Sequence, residues 1–278
     1  MSFLLFDHIG GLNTLFHTLS NGGTVICPNA RTPQDICALI EKHRVEILPT
    51  SPSFLNLLLM TQAYQNYDLS SLKVVTYGTE VMPEYTLKQL HSTMPNVQLK
   101  QTYGLSELGI LRTKSKDSGS LLVHIGGEGY QTKVVNDILF IKSETAMEGY
   151  LNAPQPFDEK GWVNTQDHVV VEGDYLRILG RRSEIINVGG RKVYPAEVED
   201  VLIQMSEITD ATVKGESNPI LGSIVSAVVN VNEQLEIKEL KQRIRAFCAD
   251  KLEPFQVPVK VHIQEEALYS ERYKKIRS

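Results

Sequence analysis

The sequence predicts an α/β protein: a parallel sheet with flanking helices, then a small β-barrel subdomain, then a small α+β domain. Strand-like and helix-like segments alternate through the first part of the chain, which is typical of a parallel sheet with helices on both faces. Short β-rich pieces, separated by glycine and polar turns, come next. The last third has helices and strands of its own, which predicts a separate unit.

Helix starts and strand-like segments alternate in the first part. Thr32 is a good N-cap, Pro33 suits the first helical position and Asp35 complements the helix dipole. Pro52 and Pro83 predict two further helix starts. Between these helices, apolar β-prone segments predict four strands, at residues 24–27, 45–48, 72–75 and 97–100.

The remaining elements set the predicted domain boundaries. The α/β part covers residues 1–115 and the β-rich part covers residues 116–182, and both belong to one large domain. Residues 183–278 form a second domain, which we expect to be mobile. In that domain the pattern predicts helices over about 195–205 and 237–251, and strands over about 211–214 and 224–231.

Composition excludes several classes of function. The chain has 278 residues, of which 42% are hydrophobic and 22% charged, as in a packed globular protein. A net charge of −5 gives nucleic-acid binding no electrostatic support. Cys27, Cys37 and Cys248 form no C-x-x-C pair, so they predict neither a zinc site nor a disulfide framework and suit the cytoplasm. No apolar run approaches the roughly 18 residues that a membrane span needs.

Two polar turns follow successive predicted strands. Residues 77–80 and residues 102–107 each contain an aromatic ring, a glycine, a hydroxyl and a carboxylate. Ligands of parallel α/β sheets bind beyond the carboxyl ends of the strands. Because the two turns would lie near one another there, the sequence predicts a binding site before any family is considered.

Five motifs in a fixed order give the chain a family resemblance. The segment Tyr-Gly-Leu-Ser-Glu resembles Y-G-x-[ST]-E, and Trp-Val-Asn-Thr-Gln-Asp resembles W-x-x-T-G-D. Together the five resemble the carboxy-terminal half of the adenylate-forming superfamily, which includes acyl-CoA synthetases, peptide-synthetase adenylation domains and luciferases. The matching segments are residues 6–11, 103–107, 162–167, 180–199 and 273–277.

The resemblance implies a two-step reaction. The family joins a carboxylic acid to the α-phosphate of ATP with release of pyrophosphate, and then passes the acyl group to a thiol. It therefore implies ATP or AMP and Mg²⁺ as cofactors. The implied acceptor is coenzyme A or the phosphopantetheine of a carrier protein, and the sequence does not separate the two. Nor does it name the acid. A luciferase-like oxygenase has no positive feature in this sequence.

The resemblance assigns the large domain's motif residues to the nucleotide and its metal. Glu107 would be catalytic as the magnesium ligand, because a hard carboxylate suits a hard cation. Asp167 would accept both ribose hydroxyls, and Arg181 would hold ribose or phosphate. The other nucleotide-binding residues would be Tyr103 over the adenine face, Gly104 and Ser106 in the same motif, and Gly78, Thr79 and Glu80 beside the adenine.

The second domain and the amino-terminal motif carry the remaining assignments. Lys275 would bind carboxylate and phosphate oxygens as a mobile catalytic cation, although a frayed basic tail is the alternative. Ser183 falls at the family's hinge. Gly189 and Gly190 would approach a pantetheine arm, or form a plain turn. His8 would gate the acid pocket or have no function, and that pocket is otherwise predicted only as regions, around residues 50–54 and 77–80.

Three departures from the family pattern limit these assignments. The Ser/Thr/Gly-rich phosphate loop that the family carries upstream of residue 6 is missing, and residues 1–6 already look like a buried strand. The sequence therefore predicts poor adenylation by the isolated chain and exposed apolar surface. A separate amino-terminal half or a homo-oligomer would cover that surface. Gln166 and Lys274 replace glycines. The competing hypothesis is a non-catalytic nucleotide-binding module derived from such an enzyme.

Overall fold

A three-stranded parallel sheet forms the centre of the amino-terminal part in a computed structural model that describes residues 1–233 and 235–277. Its strands, in spatial order, are β1 (Ile47–Thr50), β2 (Val74–Tyr77) and β3 (Gln98–Gln101). Thr50 is the register partner of Tyr77, and Tyr77 is the partner of Gln101. The three carboxyl ends are therefore level, and the turns that follow them share one edge of the sheet.

Three helices share a hydrophobic core with this sheet: α2 (Pro33–His43), α3 (Pro52–Thr61) and α4 (Glu84–Thr93). A further helix, α1 (Ile9–Ser20), precedes them and contributes no residue to that core. The predicted helix starts are confirmed. The hydroxyl of Thr32 accepts a hydrogen bond from the amide of Asp35 at 3.2 Å, and proline holds the first position of both α2 and α3. Within the described residues no helix has both the length and the apolar composition needed to cross a membrane.

Two predicted strands at the amino terminus are wrong. Residues 1–6 and 24–27 are irregular, although Phe3 is fully buried. The amide of Ser2 donates to the carbonyl of Ile26 at 2.8 Å, and one such bond does not make a ladder. Both segments are rich in β-prone residues but form no strand pairing; residues 1–3 are buried, whereas residues 24–27 are partly or fully exposed. The other three strands begin one or two residues later than predicted, because backbone pairing sets their limits rather than apolar content.

The β-rich part is an open half-barrel, as the sequence predicts. A short hairpin, β4 (Gly104–Leu105) and β5 (Gly109–Ile110), leads into it. Six antiparallel strands follow in the spatial order β6-β7-β11-β10-β9-β8. They are β6 (Thr113–Ser115), β7 (Val123–Ile125), β8 (Tyr130–Val135), β9 (Ile138–Ser143), β10 (Val163–Glu172) and β11 (Tyr175–Arg181).

The carboxy-terminal part has its own hydrophobic core, distinct from the cores of the sheet and of the half-barrel. The division at residues 182 and 183 stays a prediction. The elements are β12 (Ile186–Val188), β13 (Arg191–Val193), α5 (Pro195–Leu202), β14 (Ile208–Asn218), β15 (Gly222–Val231), α6 (Ile237–Cys248) and β16 (Lys260–Ile263). The long hairpin β14–β15 is antiparallel, and β16 pairs parallel to β15.

The tail after β16 returns to the amino-terminal part. The ring of Tyr273 lies 5.3 Å from that of Phe3 and 5.4 Å from that of Phe54, measured between centroids. Its hydroxyl donates to the carbonyl of Arg31 at 2.6 Å. Arg272 pairs with Asp7 at 2.7 Å. These contacts hold the end of the chain against the sheet, close to the carboxyl ends of the strands.

Candidate nucleotide and acid site

Two neighbouring cavities open at the carboxyl ends of the parallel strands. The first has a volume of about 270 Å³ and the second about 260 Å³. The first reaches the half-barrel and the tail, whereas the second reaches the start of α1. The walls are shared, which makes the two cavities parts of one site. The residues that line both are Thr79, Thr102, Gly104, Leu105, Arg181 and Lys274.

The backbone of the turn after β2 restricts which residues can occupy positions 78 and 79. A Cβ atom on Gly78 would lie 2.5 Å from the hydroxyl oxygen of Thr102, so only glycine fits there. Thr79 has a φ of 73°, which is unusual for a β-branched residue. Strained backbone of this kind concentrates at functional sites. The close approach brings the turn after β2 against the turn after β3, as the sequence predicts.

Glu80 joins this turn to two other segments. Its carboxylate accepts hydrogen bonds from the hydroxyl and the amide of Ser53, at 2.7 and 3.2 Å. The other carboxylate oxygen accepts the backbone amide of Lys275. Burial raises the pKa of Glu80, and these hydrogen bonds and the charge of Lys275 only partly offset that effect. Glu80 therefore ties the start of α3 and the tail to the turn that lines the first cavity.

Tyr103, Asp167 and Arg181 form a connected group at the half-barrel wall of the first cavity. The hydroxyl of Tyr103 donates to the carboxylate of Asp167. The Nε atom of Arg181 lies 3.5 Å from the second carboxylate oxygen. Asp167 is only 6% exposed, and burial raises its pKa while Tyr103 and Arg181 oppose the shift. Burial and the adjoining carboxylate also raise the pKa of Tyr103.

The residue before Asp167 keeps the backbone of the motif despite its side chain. Gln166 stands where the family motif has glycine, and it adopts a φ of 62°. Its amide donates to the side chain of Asn164 at 2.9 Å, and the amide of Asp167 donates to Thr165 at 3.1 Å. The substitution of glycine by Gln166 therefore leaves a left-handed turn that still presents Asp167.

Glu107 and Ser106 line the second cavity only. Ser106 is exposed, and the carboxylate of Glu107 accepts a hydrogen bond from the hydroxyl of Tyr150. No cluster of three or more His, Cys, Asp or Glu side chains suited to a metal occurs in residues 1–233 and 235–277. Mg²⁺ at nucleotide sites often takes only one or two protein carboxylates and shares its other positions with substrate phosphates and water. A single carboxylate at Glu107 is compatible with that, and its assignment as the metal ligand stays a prediction.

His8 lines the second cavity at the N-terminus of α1. Its Nδ1 atom accepts the amide of Gly10 at 3.1 Å, which places the ring proton of the neutral form on Nε2. Burial lowers the pKa of His8, with Lys274 and Arg272 adding to the shift and Asp7 opposing it. The neutral ring is thus favoured at the cavity wall.

Lys275 lines the first cavity, but its ammonium group is engaged elsewhere. The Nζ atom pairs with the carboxylate of Asp210 and donates to the carbonyl of Ala211 at 2.8 Å. The preceding residue, Lys274, which the sequence presents only as a departure from glycine, lines both cavities.

The residues predicted for the hinge and the thiol lie outside both cavities. Ser183 is exposed in a 3-10 turn over Arg182–Glu184, between β11 and β12. Gly189 and Gly190 have φ values of 58° and 83° and form the turn between β12 and β13. Neither glycine lines the first or the second cavity.

Two buried polar side chains lie in the cavity walls. Sequence reasoning missed Gln101 and named Thr50 only as the start of the region 50–54 that it predicted for the acid pocket. Gln101 is 7% exposed and lines the first cavity, and the Oε1 atom of its side chain has no hydrogen-bond partner among the described residues. Thr50 is 1% exposed and lines the second cavity, and its hydroxyl also lacks a partner there. Each is the last residue of its strand. The strand-end rule that selected the two turns could therefore have found both.

The tail also contains a buried cation that the sequence did not single out. Arg277 binds Glu199 through two nitrogens, at 3.0 and 2.8 Å, and Glu184 at 3.1 Å. Glu199 is 3% exposed and accepts the amide of Val213 at 2.9 Å. This network raises the pKa of Arg277 despite its burial. It connects the tail both to α5 and to the turn that holds Ser183.

The sequence models of two families match most of the chain. The AMP-binding enzyme model matches residues 1–151, and the model of the AMP-binding enzyme C-terminal domain matches residues 197–275. The chain belongs to the AMP-binding, or adenylate-forming, superfamily. The first match alone covers more than half of the chain. Together the two matches cover the sheet and most of the carboxy-terminal part.

Curated relatives of this AMP-binding chain are CoA ligases. Indoleacetate–CoA ligase of Aromatoleum aromaticum is 29% identical over 243 residues, which are 80% of this chain and 47% of that protein. 4-Coumarate–CoA ligase 3 of Arabidopsis thaliana is 30% identical over 250 residues, 80% of this chain and 44% of that protein. The chain spans about half the length of the curated relatives that it matches.

Solved structures confirm the fold. The anthranilate CoA ligase AuaEII, in complex with anthranoyl-AMP, superposes with a TM-score of 0.79 at 24% identity, over 91% of this chain and 52% of that one. ATP-bound MatB from Rhodopseudomonas palustris superposes with a TM-score of 0.82 at 21% identity, over 97% of this chain and 56% of that one. The AMP-binding chain thus has the arrangement of the corresponding half of these proteins.

Proposed function

We propose that the chain acts as one half of an ATP-dependent acid:thiol ligase. It would activate a carboxylic acid as acyl-AMP and pass the acyl group to coenzyme A or to a carrier-protein phosphopantetheine. The observation that carries this proposal is the meeting of two strand-end turns, the Asp167 group and the tail around one pair of cavities. The activities of the CoA-ligase relatives support the same reaction class.

The first cavity is the proposed nucleotide site. Asp167 has two carboxylate oxygens for two ribose hydroxyls, and Tyr103 and the neighbouring backbone hold it in place. Tyr103, Thr79 and Glu80 line the space proposed for adenine, and Gly78 begins the same turn at the wall of the second cavity. The Oε1 atom of the Gln101 side chain has no partner among the described residues, and a hydrogen-bond donor on the base would supply one, because a buried acceptor without a partner is costly.

The second cavity is the proposed acid site, with His8 and Thr50 in its wall. In the first step a carboxylate oxygen of the acid bonds to the α-phosphorus of ATP. The bond from that phosphorus to the bridging oxygen breaks, and pyrophosphate leaves with the electron pair. Arg181 and Ser106 line this cavity and would hold phosphate oxygens. When bound, Mg²⁺ would offset the negative charge on those oxygens, and Glu107 is the residue that would hold it.

The carboxy-terminal part would serve the second step. There the thiol sulfur bonds to the acyl carbon, AMP leaves and the thiol proton is released. Gly189 and Gly190 would approach the pantetheine arm after rotation about Ser183, since both have open, left-handed backbone and lie outside the cavities here. Rotation would also carry Lys275 away from Glu80, consistent with a role for the tail in the first step only.

The chain's partner is proposed to be a separate amino-terminal half or a second copy. Leu12, Phe16 and Leu19 form a stripe on one face of α1, and they are 37%, 64% and 56% exposed. Relatives of about twice the length support a missing half. We expect poor adenylation by the isolated chain. Cytoplasmic location is proposed from the unpaired cysteines.

Pyrophosphate release tests this proposal. The chain is supplied with ATP, Mg²⁺ and a panel of aromatic and aliphatic acids, with and without an amino-terminal half taken from a CoA-ligase relative. Acid-dependent release that needs the added half, and that is abolished by Asp167→Asn, supports the ligase. AMP binding without any release would favour the non-catalytic module. Absence of both AMP binding and release would overturn the nucleotide site itself.

A further inference from the structure

Two cations, Arg181 and Lys274, line both cavities. The family motifs instead assign the cationic roles to Arg181 and Lys275. Arg181 and Lys274 are the only Lys or Arg side chains in the walls of both cavities, among residues 1–233 and 235–277. Lys274 forms no ion pair within that part of the chain. It therefore brings a positive charge without a direct carboxylate partner to the place where the proposed nucleotide and acid sites meet, and Glu80 acts on it only from a distance.

Lys275, by contrast, is neutralised within the protein. Its side chain and that of Asp210 are each 10% exposed, and the two are paired. Ala211 supplies a further acceptor. A nearly buried lysine with a carboxylate and a carbonyl bound to its ammonium has little positive charge left for a ligand. Releasing it would leave Asp210 unpaired in a buried position, which is costly.

The local backbone explains why the neighbouring lysines have different surroundings. Tyr273 adopts a φ of 53°, and its ring packs against the contacting rings of Phe3 and Phe54. The amide of Lys275 is fixed by Glu80. With Tyr273 and Lys275 both held, Lys274 is the residue of this segment that faces the junction of the cavities.

We propose that Lys274 supplies the cation that binds the α-phosphate and the acid's carboxylate, and that Lys275 holds the tail in place. This inference rests on the proposed function. Binding here brings two anions together, so a cation at the junction has a clear electrostatic purpose. A lysine is a compact point charge with rotatable donors, which suits a group that must contact both anions in turn.

The electrostatic surroundings agree with this placement. Burial lowers the pKa of Lys274; Glu80 opposes the shift, and Arg181 and Arg272 add to it. The charge of Lys274 in turn lowers the pKa of His8, in the wall of the second cavity. The lysine is thus close enough to influence residues of both cavities. An arriving phosphate would relieve its repulsion from Arg181.

The test compares AMP with adenosine, which differ only in the phosphate. Dissociation constants of both are measured by calorimetry for the full chain and for Lys274→Gln, Lys274→Arg, Lys275→Gln and the exposed-lysine control Lys42→Gln. We expect Lys274→Gln to weaken AMP by roughly tenfold and to leave adenosine unchanged, since a hydrogen bond to a charged group is lost. Lys274→Arg retains most of the AMP affinity.

Lys275→Gln is expected to lower the unfolding temperature while keeping the ratio of AMP to adenosine affinity near that of the unmodified chain. A drop of that ratio in Lys275→Gln but not in Lys274→Gln would overturn the assignment. Equal ratios in all variants would overturn it as well. If the unmodified chain binds neither AMP nor adenosine, the proposed nucleotide site itself fails. If it binds both but the variants give the contrary ratios, only the assignment of Lys274 fails.

Discussion

Asp167 and Arg181 are register partners on the antiparallel strands β10 and β11, and Nε of Arg181 lies 3.5 Å from a carboxylate oxygen of Asp167. Fourteen positions apart in sequence, they meet because the hairpin folds back on itself. The pair belongs to the wall of the first cavity, and Arg181 extends into the second. One hairpin thereby places a carboxylate and a guanidinium side by side, and these are the groups proposed to bind ribose hydroxyls and phosphate.

Replacement of Asp167 by asparagine should weaken AMP binding by about tenfold or more, because a charged acceptor for the ribose hydroxyls is lost. Isothermal calorimetry measures the change. Asp174→Asn is the matched control, since Asp174 is exposed in the turn between the same two strands. Equal affinities of the two variants would contradict the assignment of Asp167 to the nucleotide.

Lys275→Met should lower the free energy of unfolding by about 3 kcal/mol, because it leaves the buried carboxylate of Asp210 without its partner. Urea unfolding followed by circular dichroism gives the value. Lys260→Met is the control: Lys260 and Glu216 are 49% and 27% exposed, so that pair should contribute less than about 1 kcal/mol. Similar losses of stability in both variants would show that the buried Lys275–Asp210 pair contributes no more than the exposed Lys260–Glu216 pair.

Thr50→Val should stabilise the chain by about 1 kcal/mol, because it removes a buried hydroxyl that has no partner within the described residues. Thr165→Val is the opposite control. The hydroxyl of Thr165 donates to the carbonyl of Leu139 at 2.8 Å, and its loss should destabilise. Thermal unfolding of both variants, without ligand, checks the signs. A destabilised Thr50→Val would mean that this hydroxyl is bonded in solution.

Glu80 should make stability fall as the pH rises above its ordinary pKa of 4.5. Its pKa is raised in the folded state by burial, so the folded chain binds the proton more tightly than the unfolded chain. Its stabilising contribution is complete below pH 4.5 and is lost as the pH passes the raised value. Urea unfolding across this window should show a smaller decline for Glu80→Gln than for the unmodified chain. An equal decline of stability with pH in Glu80→Gln and in the unmodified chain would contradict the raised pKa of Glu80.

Local sequence signals predicted the parts of the fold that depend on local chemistry. The start of α2 was readable because the cap hydroxyl of Thr32 and the fixed φ of Pro33 act within one helical turn. Apolar and β-prone content alone did not distinguish an irregular segment from a strand, so residues 1–6 and 24–27 were assigned wrongly. Nor did it predict α1, whose exposed apolar face breaks the usual pattern.

The sequence by itself determined the family, the alternation of helices and strands from α2 to β3 and the two turns that meet at the cavities, because these depend on motifs and on the level ends of parallel strands. The tertiary structure alone decided the surroundings of the two adjacent lysines. Lys275 is neutralised by Asp210, 65 residues away, and Lys274 is left at the cavities. A contact between such distant residues exists only after folding, so no short motif encodes which lysine keeps its charge for a ligand.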